Sequence, residues 1–120
     1  MKILRLSLSN LASIAGEQEI LFEQAPLAHA GLIAITGKTG AGKSTLLDAM
    51  CLALYDRVPR LNGAVGSIKD VGGADLSLKD PKHILRRGAT SGFAELEFIA
   101  LDGKRYQARW EVWRAHKKPD

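Results

Sequence analysis

A glycine-rich loop in the first half of the chain has the residue types and the spacing that bind a chain of phosphates. Gly37-Lys38-Thr39-Gly40-Ala41-Gly42-Lys43-Ser44 fits the pattern G-x-x-x-x-G-K-[ST] at every fixed position. Glycines let backbone N–H groups turn inward around phosphates, because a Cβ would block the approach or forbid the dihedral angles. The sequence therefore predicts a nucleoside triphosphate site, with ATP as the expected nucleotide.

The side chains that follow the glycines have separate expected roles. Lys43 is the candidate catalytic residue because its ammonium group reaches the β- and γ-phosphates, the Ser44 hydroxyl is placed to ligate Mg²⁺, and Thr45 can donate to the α-phosphate. ATP and Mg²⁺ are thus the expected cofactors. The expected nucleotide contacts are Gly37, Lys38, Thr39, Gly40, Ala41, Gly42, Lys43, Ser44 and Thr45. The alternative is a glycine turn that only caps an ordinary helix.

A phosphate loop of this type needs a strand before it and a helix after it, and residues 31–56 predict both. "GLIAIT" (31–36) is a short, continuous apolar run, as expected of a strand covered on both faces. A helix is predicted from about Gly42 to Tyr55, and its N-terminus would direct N–H groups and partial positive charge at the same anion. Its expected apolar face consists of Leu46, Leu47, Met50 and Leu54.

Two pairs of strands flank this unit. Residues 3–9 alternate between leucines and polar residues, and "EQEILFE" (17–23) alternates again, which predicts an antiparallel pair. Near the end, "FAELEFIAL" and "RYQARWEVW" surround Asp102-Gly103, a strong turn signal, and predict a β-hairpin over 93–114. In this hairpin, alternation places Glu95 and Glu97 on the solvent face.

The stretch 57–92 lacks strong periodicity. It holds six of the twelve glycines, and a segment of this length without regular structure is usually functional or disordered. Within it, "DPKHILRRG" predicts one short helix with Asp80 as N-cap, Pro81 at the first position and Gly88 after the end.

The bulk properties set limits on the function. A chain of 120 residues forms one domain or part of one, and a net charge of +4 permits a polyanionic partner without requiring one. The sequence contains neither an apolar run of membrane-spanning length nor a signal peptide pattern. We therefore expect a cytoplasmic protein without a membrane partner.

Several stretches together resemble the SbcC family of SMC-like DNA repair ATPases. They are "MKILRLSLSNLASIAGEQEILF", "GLIAITGKTGAGKSTLLDAMCLALYDRVPRL", "DPKHILRRG", "GFAELEF" and "RYQARWEVWRAHKK". Strands that precede the phosphate loop are also the arrangement of ABC-type ATPase heads. The resemblance covers essentially the whole chain and is much more specific than the loop motif alone.

The resemblance implies an α/β fold, that of a P-loop NTPase. Residues 1–120 would form the N-terminal lobe of a split ABC-type ATPase head, with an antiparallel β subdomain. A long coiled coil and a C-terminal lobe of the same full-length chain would follow. Two heads would form a homodimer around two ATP molecules and control an SbcD-like nuclease subunit that acts on double-stranded DNA ends and hairpins during double-strand break repair and recombination.

The resemblance also implies roles for residues outside the phosphate loop. In related heads the turn after the first strand approaches the nucleotide, which makes Ser13 a candidate contact. Ala12 stands where some relatives carry Arg, so no arginine contact is expected there. Arg86 and Arg87 form the densest basic pair of the loop region and are candidate DNA contacts.

Two elements that hydrolysis requires do not occur in this sequence. There is no acidic Walker B strand after the phosphate loop and no Ser-Gly-Gly signature. We therefore expect the full-length protein to be an ATPase and this chain alone to be at most a weak nucleotide binder. Two alternatives remain: an SMC- or RecF-like DNA-binding ATPase without a nuclease partner, and a stand-alone nucleotide-binding module.

Overall fold

Two long hairpins form the main sheet of the protein in a computed structural model. The structure describes residues 1–38, 40–58, 67–69, 75–77 and 81–114. Strands β1 (Lys2–Leu11) and β2 (Ile14–Leu21) make the first hairpin, and β3 (Ser67–Lys69) and β4 (Asp75–Ser77) pair in a separate small sheet. Strands β5 (Ser91–Ile99) and β6 (Arg105–Trp113) make the last hairpin. The antiparallel main sheet has the order β2-β1-β5-β6, so the pairing of β1 with β5 joins the first hairpin to the last.

The alternation along β1 and β5 places one set of side chains in the core. Leu4, Leu6 and Leu8 are buried, and Leu6 lies opposite both Ile20 of β2 and Leu96 of β5. Because side chains alternate along a strand, a polar residue between two leucines falls on the other face of the sheet. The two hairpins predicted from alternation and from the Asp102-Gly103 signal are therefore present.

Helix α1 (Lys43–Tyr55) covers the leucine face of the sheet and ends where the sequence predicts. Its buried residues are Thr45, Asp48, Ala49 and Leu52. The predicted apolar face is therefore wrong in part: Leu46, Met50 and Leu54 pack beside the core, but Leu47 is 56% exposed. The helix is apolar on more than one side, and contact with the sheet selects the side that carries the small Ala49.

The C-terminal end of α1 is tied to the last hairpin. Asp56 follows the helix in the left-handed conformation, and its N–H donates to the carbonyl of Leu52 at 3.0 Å. The Trp110 Nε1–H of β6 donates to the Asp56 carboxylate at 2.8 Å. The C-terminal end of α1 is thus bound to β6, whereas its N-terminal end follows directly from the glycine loop.

The strand predicted for residues 31–36 is not formed. These residues have no strand partner in the described part of the chain, and Leu32, Ile33 and Ile35 are 93%, 38% and 40% exposed. An apolar run forms a strand only if a neighbouring strand satisfies its backbone groups, and none of the described strands pairs with residues 31–36.

The stretch 57–92 contains more regular structure than its composition predicts. Besides β3 and β4, it includes a four-residue 3-10 helix, Pro81–Ile84, and the start of β5. The helix predicted over "DPKHILRRG" is thus shorter than expected, and its proposed cap, Asp80, lies outside the described residues. Leu85 instead forms a β-bridge with Leu11, which takes the chain out of the helix before Gly88.

Candidate functional site

The glycine loop turns sharply into the N-terminus of α1. The N–H of Ala41 donates to the carbonyl of Lys38 at 3.0 Å, which closes the turn. Gly40 and Gly42 have φ angles of 85° and 105°, a region that residues with a Cβ seldom adopt. Gly40 and Gly42 are therefore needed for the shape of the loop; Thr39, which precedes them, lies outside the described residues.

The first turn of α1 keeps its N–H groups free of a side-chain cap. Gly42 is the N-cap and supplies no side-chain hydrogen bond, and no acidic residue lies in the first turn. A helix N-terminus has four N–H groups without intrahelical partners and a partial positive charge. The end of α1 that the loop exposes is therefore suited to an anion.

The three residues that open α1 differ in their surroundings. The Lys43 ammonium group donates a hydrogen bond to the carbonyl of Gly37, so it is held across the loop. Ser44 is exposed, whereas Thr45 is 4% exposed and faces the core. The ammonium and hydroxyl groups that the motif assigns to phosphate and magnesium are therefore accessible to solvent, whereas the Thr45 side chain is buried.

These groups fit a magnesium–nucleoside triphosphate. The donor set consists of backbone N–H groups, one ammonium and one hydroxyl, which is the chemistry that phosphate oxygens and Mg²⁺ require. A Cβ placed on Gly37 would lie 3.4 Å from the Cβ of Ala41 and 3.8 Å from the Lys43 side chain, inside the curve of the loop. A side chain at position 37 would therefore contact Ala41 and Lys43, two residues of the predicted anion site.

Ser13 lies beside this loop, on the turn that joins β1 to β2. A Cβ on Gly42 would be 3.7 Å from the Ser13 hydroxyl and 3.2 Å from the Ile14 side chain. The structure therefore brings Ser13 next to the phosphate loop. Its neighbour Ile14 closes the gap between the turn and the helix N-terminus.

The two arginines proposed for DNA contact have different environments. Arg86 is half-buried, and its side chain donates to the carbonyl of Ala12 at 3.2 Å. Arg87 is exposed. Arg86 is thus bound to the β1–β2 turn, a role that sequence reasoning missed, and the exposed Arg87 is the better candidate of the two for contact with a polyanion.

The strongest perturbation of a carboxyl group in the described residues lies away from the loop. Glu95 is buried on the sheet face opposite α1, and its carboxylate accepts hydrogen bonds at 2.7 Å from both Arg5 and Arg109. Burial favours the neutral form, but the hydrogen bonds from Arg5 and Arg109 outweigh it and lower the pKa of Glu95 from 4.5 to about 2. The prediction that Glu95 faces solvent is therefore wrong.

This arrangement acts as a structural clamp across the four strands of the main sheet. Arg5 of β1 also pairs with Glu19 of β2, and Arg109 of β6 pairs with Glu111 and lies 4.1 Å over the ring of Phe93. The hydrogen bonds to Glu95 and Glu19 raise the pKa of Arg5. All of these charges are compensated, so we assign them no catalytic role.

Comparison with known proteins finds related sequences over the whole chain. The family described as an AAA domain matches residues 5–120. The chain is 56% identical over 121 residues to the SbcC component of the SbcCD nuclease of Pseudomonas aeruginosa, and 53% identical over 120 residues to that of Rhodobacter capsulatus. These alignments cover 100% and 98% of this chain. A more distant relative, the DNA double-strand break repair Rad50 ATPase of Methanopyrus kandleri, is 29% identical over 92% of the chain.

The chain is much shorter than these relatives. It spans 10% of the length of each of the three. Within the described ranges, no helix has both the length and the apolar character needed to cross a bilayer.

Proposed function

Because this chain belongs to the AAA domain family, we propose that it is the ATP-binding N-terminal lobe of an ATPase head in a longer DNA repair protein. One observation carries the proposal. Two left-handed glycines, Gly40 and Gly42, lead into a helix N-terminus without a side-chain cap, and the Lys43 ammonium group lies across the loop. This arrangement offers a concave set of donors to an anion and no acidic side chain in the first helical turn.

The roles proposed for the loop follow from these positions. Backbone N–H groups of residues 37–42 and of the first turn of α1 bind the phosphate oxygens, and Lys43 neutralises charge on the β- and γ-phosphates. The exposed Ser44 hydroxyl ligates Mg²⁺, which supplies further neutralisation of the phosphate charge when bound. Lys38, Ser13, Thr39 and Thr45 complete the proposed binding set.

The rest of the longer protein is proposed to complete this site. The apolar segment 31–36 and the Leu47 side chain are exposed here, and we assign their cover to the C-terminal lobe of the same full-length chain. Two such heads would then form a homodimer around two ATP molecules. The length of the relatives supports this proposal, since residues equivalent to this chain make up only a tenth of them.

The proposed biological role is the control of a nuclease at DNA ends. The relatives are named as the SbcC component of the SbcCD nuclease, so we assign an SbcD-like nuclease subunit as partner and double-stranded ends or hairpins as its DNA, in the cytoplasm. The net charge of +4 and the exposed Arg87 suit a polyanion. Contacts of this type would be independent of base sequence and weakened by salt.

We expect this chain to bind the nucleotide, whereas only the full-length protein should hydrolyse it at an appreciable rate. The loop supplies phosphate and magnesium contacts, but phosphoryl transfer also needs a carboxylate that orients water and groups from the opposing head. We expect the full-length protein to hydrolyse Mg-ATP and the 120-residue chain to turn over at least about a hundredfold more slowly. Steady-state phosphate release measures both.

Lys43→Ala is the control for this experiment. It should abolish nucleotide binding to the full-length protein, because the substitution removes the ammonium group that contacts the phosphates. Equal binding by the Lys43→Ala protein and the unaltered protein would refute the nucleotide site. Turnover by the 120-residue chain at the full-length rate would refute the division of the site between two parts of the protein.

A further inference from the structure

The turn between β1 and β2 is held in an unfavourable backbone conformation. Ala12, in the turn, has a φ angle of 48°, and Asn10, near the end of β1, has one of 53°, so two of residues 10–12 lie in the left-handed region. Such residues cost free energy and persist only where surrounding contacts determine the conformation. The conformation of this turn therefore depends on the contacts around it.

Residues 84–86 supply most of these contacts. The N–H of Ala12 donates to the carbonyl of Ile84 at 2.6 Å, and the N–H of Arg86 donates to the carbonyl of Asn10 at 2.8 Å. The Arg86 guanidinium adds a third bond, to the carbonyl of Ala12 at 3.2 Å. Of the three, only this bond depends on the identity of a side chain.

The same turn presses against the phosphate loop. Ser13 and Ile14 come directly after Ala12, and the backbone of Gly42 lies so close to them that an added Cβ would meet Ile14 at 3.2 Å and the Ser13 hydroxyl at 3.7 Å. The conformation of Ala12 therefore sets where Ser13 stands relative to the N-terminus of α1. A change of the backbone at Ala12 would move Ser13 and loosen the packing on Gly42.

We propose that Arg86 is a positioning residue for the nucleotide site: by binding the carbonyl of Ala12, it holds the strained turn in the conformation that places Ser13 against the phosphate loop. The inference rests on the proposed nucleotide site. Arg86 acts on the loop through residues 12–14. This role differs from the DNA contact that its charge suggests, and its half-buried position beside the turn favours it.

The test measures Mg-ATP binding and turnover by the full-length protein with its nuclease partner. Arg86→Ala should raise both the Kd for Mg-ATP and the KM by about fivefold, the effect of one lost hydrogen bond. The kcat should stay within about twofold, because the turn contributes equally to binding before and during the reaction. Arg86→Lys keeps a donor and should recover most of the affinity.

Arg105→Ala is the matched control. This exposed arginine of β6 also makes side-chain hydrogen bonds, to Glu23, but it pairs with Ile99, which lies opposite Lys2 at the start of β1 and thus far from the β1–β2 turn. The substitution should leave the Kd for Mg-ATP unchanged. Circular dichroism of each variant shows that the fold is retained.

The outcomes separate this inference from the proposed function. Normal Mg-ATP affinity in Arg86→Ala, or equal losses in Arg86→Ala and Arg86→Lys, would overturn the positioning role. A loss of kcat with an unchanged KM would overturn it as well. Failure of Lys43→Ala to weaken binding would instead refute the nucleotide site itself.

Discussion

Glu95 shows how a single residue joins strands that are distant in sequence. Its carboxylate accepts hydrogen bonds from Arg5, 90 positions away, and from Arg109, 14 positions away. Ion pairs between exposed residues contribute little to stability, but this carboxylate is only 9% exposed and has two charged donors. We therefore expect it to make the stability of the sheet depend on pH.

The sign of this dependence follows from the pKa. Because the folded protein lowers the pKa of Glu95 from 4.5 to about 2, this carboxyl group binds fewer protons in the folded protein than in the unfolded chain. The stabilisation is complete above about pH 5 and is lost as the pH falls from there towards 2. Its size is on the order of 2 kcal/mol, since the partly exposed arginines are screened by water.

The measurement is urea unfolding of the 120-residue chain between pH 7 and pH 3, followed by the fluorescence of Trp110 and Trp113. Glu95→Gln should lower the free energy of unfolding at pH 7 and remove most of its decline towards pH 3. Glu17→Gln, an exposed residue of β2, should behave like the unaltered chain. An unchanged pH profile in Glu95→Gln would contradict the assigned role of this carboxylate.

The shape of the glycine loop could be predicted from its residues, whereas the environment of Glu95 could not. The loop depends on glycines and on Lys43 at fixed positions within eight residues, so local pattern contains nearly all of the information. Alternation correctly places Glu95 on the other face of β5 from Leu96. It does not reveal that Arg5 and Arg109 bind the Glu95 carboxylate. Arg86 is a similar case, because its partner Ala12 lies 74 positions away.

At the scale of elements, α1 shows that hydrophobic pattern does not decide which face is buried. Leucines occur around much of the helix, and the sequence favoured a face that includes Leu47. The sheet contacts the side where Ala49 and Leu52 are buried, so that Leu46, Met50 and Leu54 pack beside the core and Leu47 is left exposed. The reason is geometric: a small residue at the point of contact lets the helix approach the strands closely.

This choice of face predicts unequal effects for the same chemical change at two leucines of α1. Leu52 is 1% exposed, so Leu52→Ala should lower the free energy of unfolding by about 2–5 kcal/mol. Leu47 is 56% exposed, and Leu47→Ala should cost less than about 1 kcal/mol. Urea midpoints of the two variants measure the difference. Similar midpoints would show that the sheet does not contact the side of α1 described here.

The strands also show that sequence pattern predicts only part of the fold. Two hairpins were predictable, because alternation fixes their faces and short turns fix their register. Residues 31–36 are the exception: their apolar character is that of a buried strand, but a strand also requires a partner, and pattern does not say where the partner lies. Residues 31–36 are exposed because no described strand pairs with them, and their apolar sequence alone does not decide whether they are buried.

At the scale of the whole molecule, several exposed apolar residues lie together on one surface. We define the apolar surface by Ile33, Ile35 and Leu47. Ile33, Ile35 and Leu47 also line an open cavity of about 430 Å³, together with Phe22, Leu27 and Met50. Contiguous apolar surface of this kind marks an interface or an aggregation site. It fits the proposal that a second lobe of the longer protein covers this side.

The apolar surface predicts that the 120-residue chain associates with itself when it is expressed alone. Residues 31–36, which have no strand partner among the described residues, and the exposed leucines together favour contact between copies. Sedimentation velocity over a range of concentrations should show oligomers, and Leu47→Glu should shift the population towards monomer because it introduces charge into the contact. Leu101→Glu, the same change at a residue 96% exposed in the β5–β6 turn, should not. A chain that stays monomeric throughout would contradict this prediction, and normal assembly of full-length protein with Leu47→Glu would show that the second lobe does not cover the apolar surface.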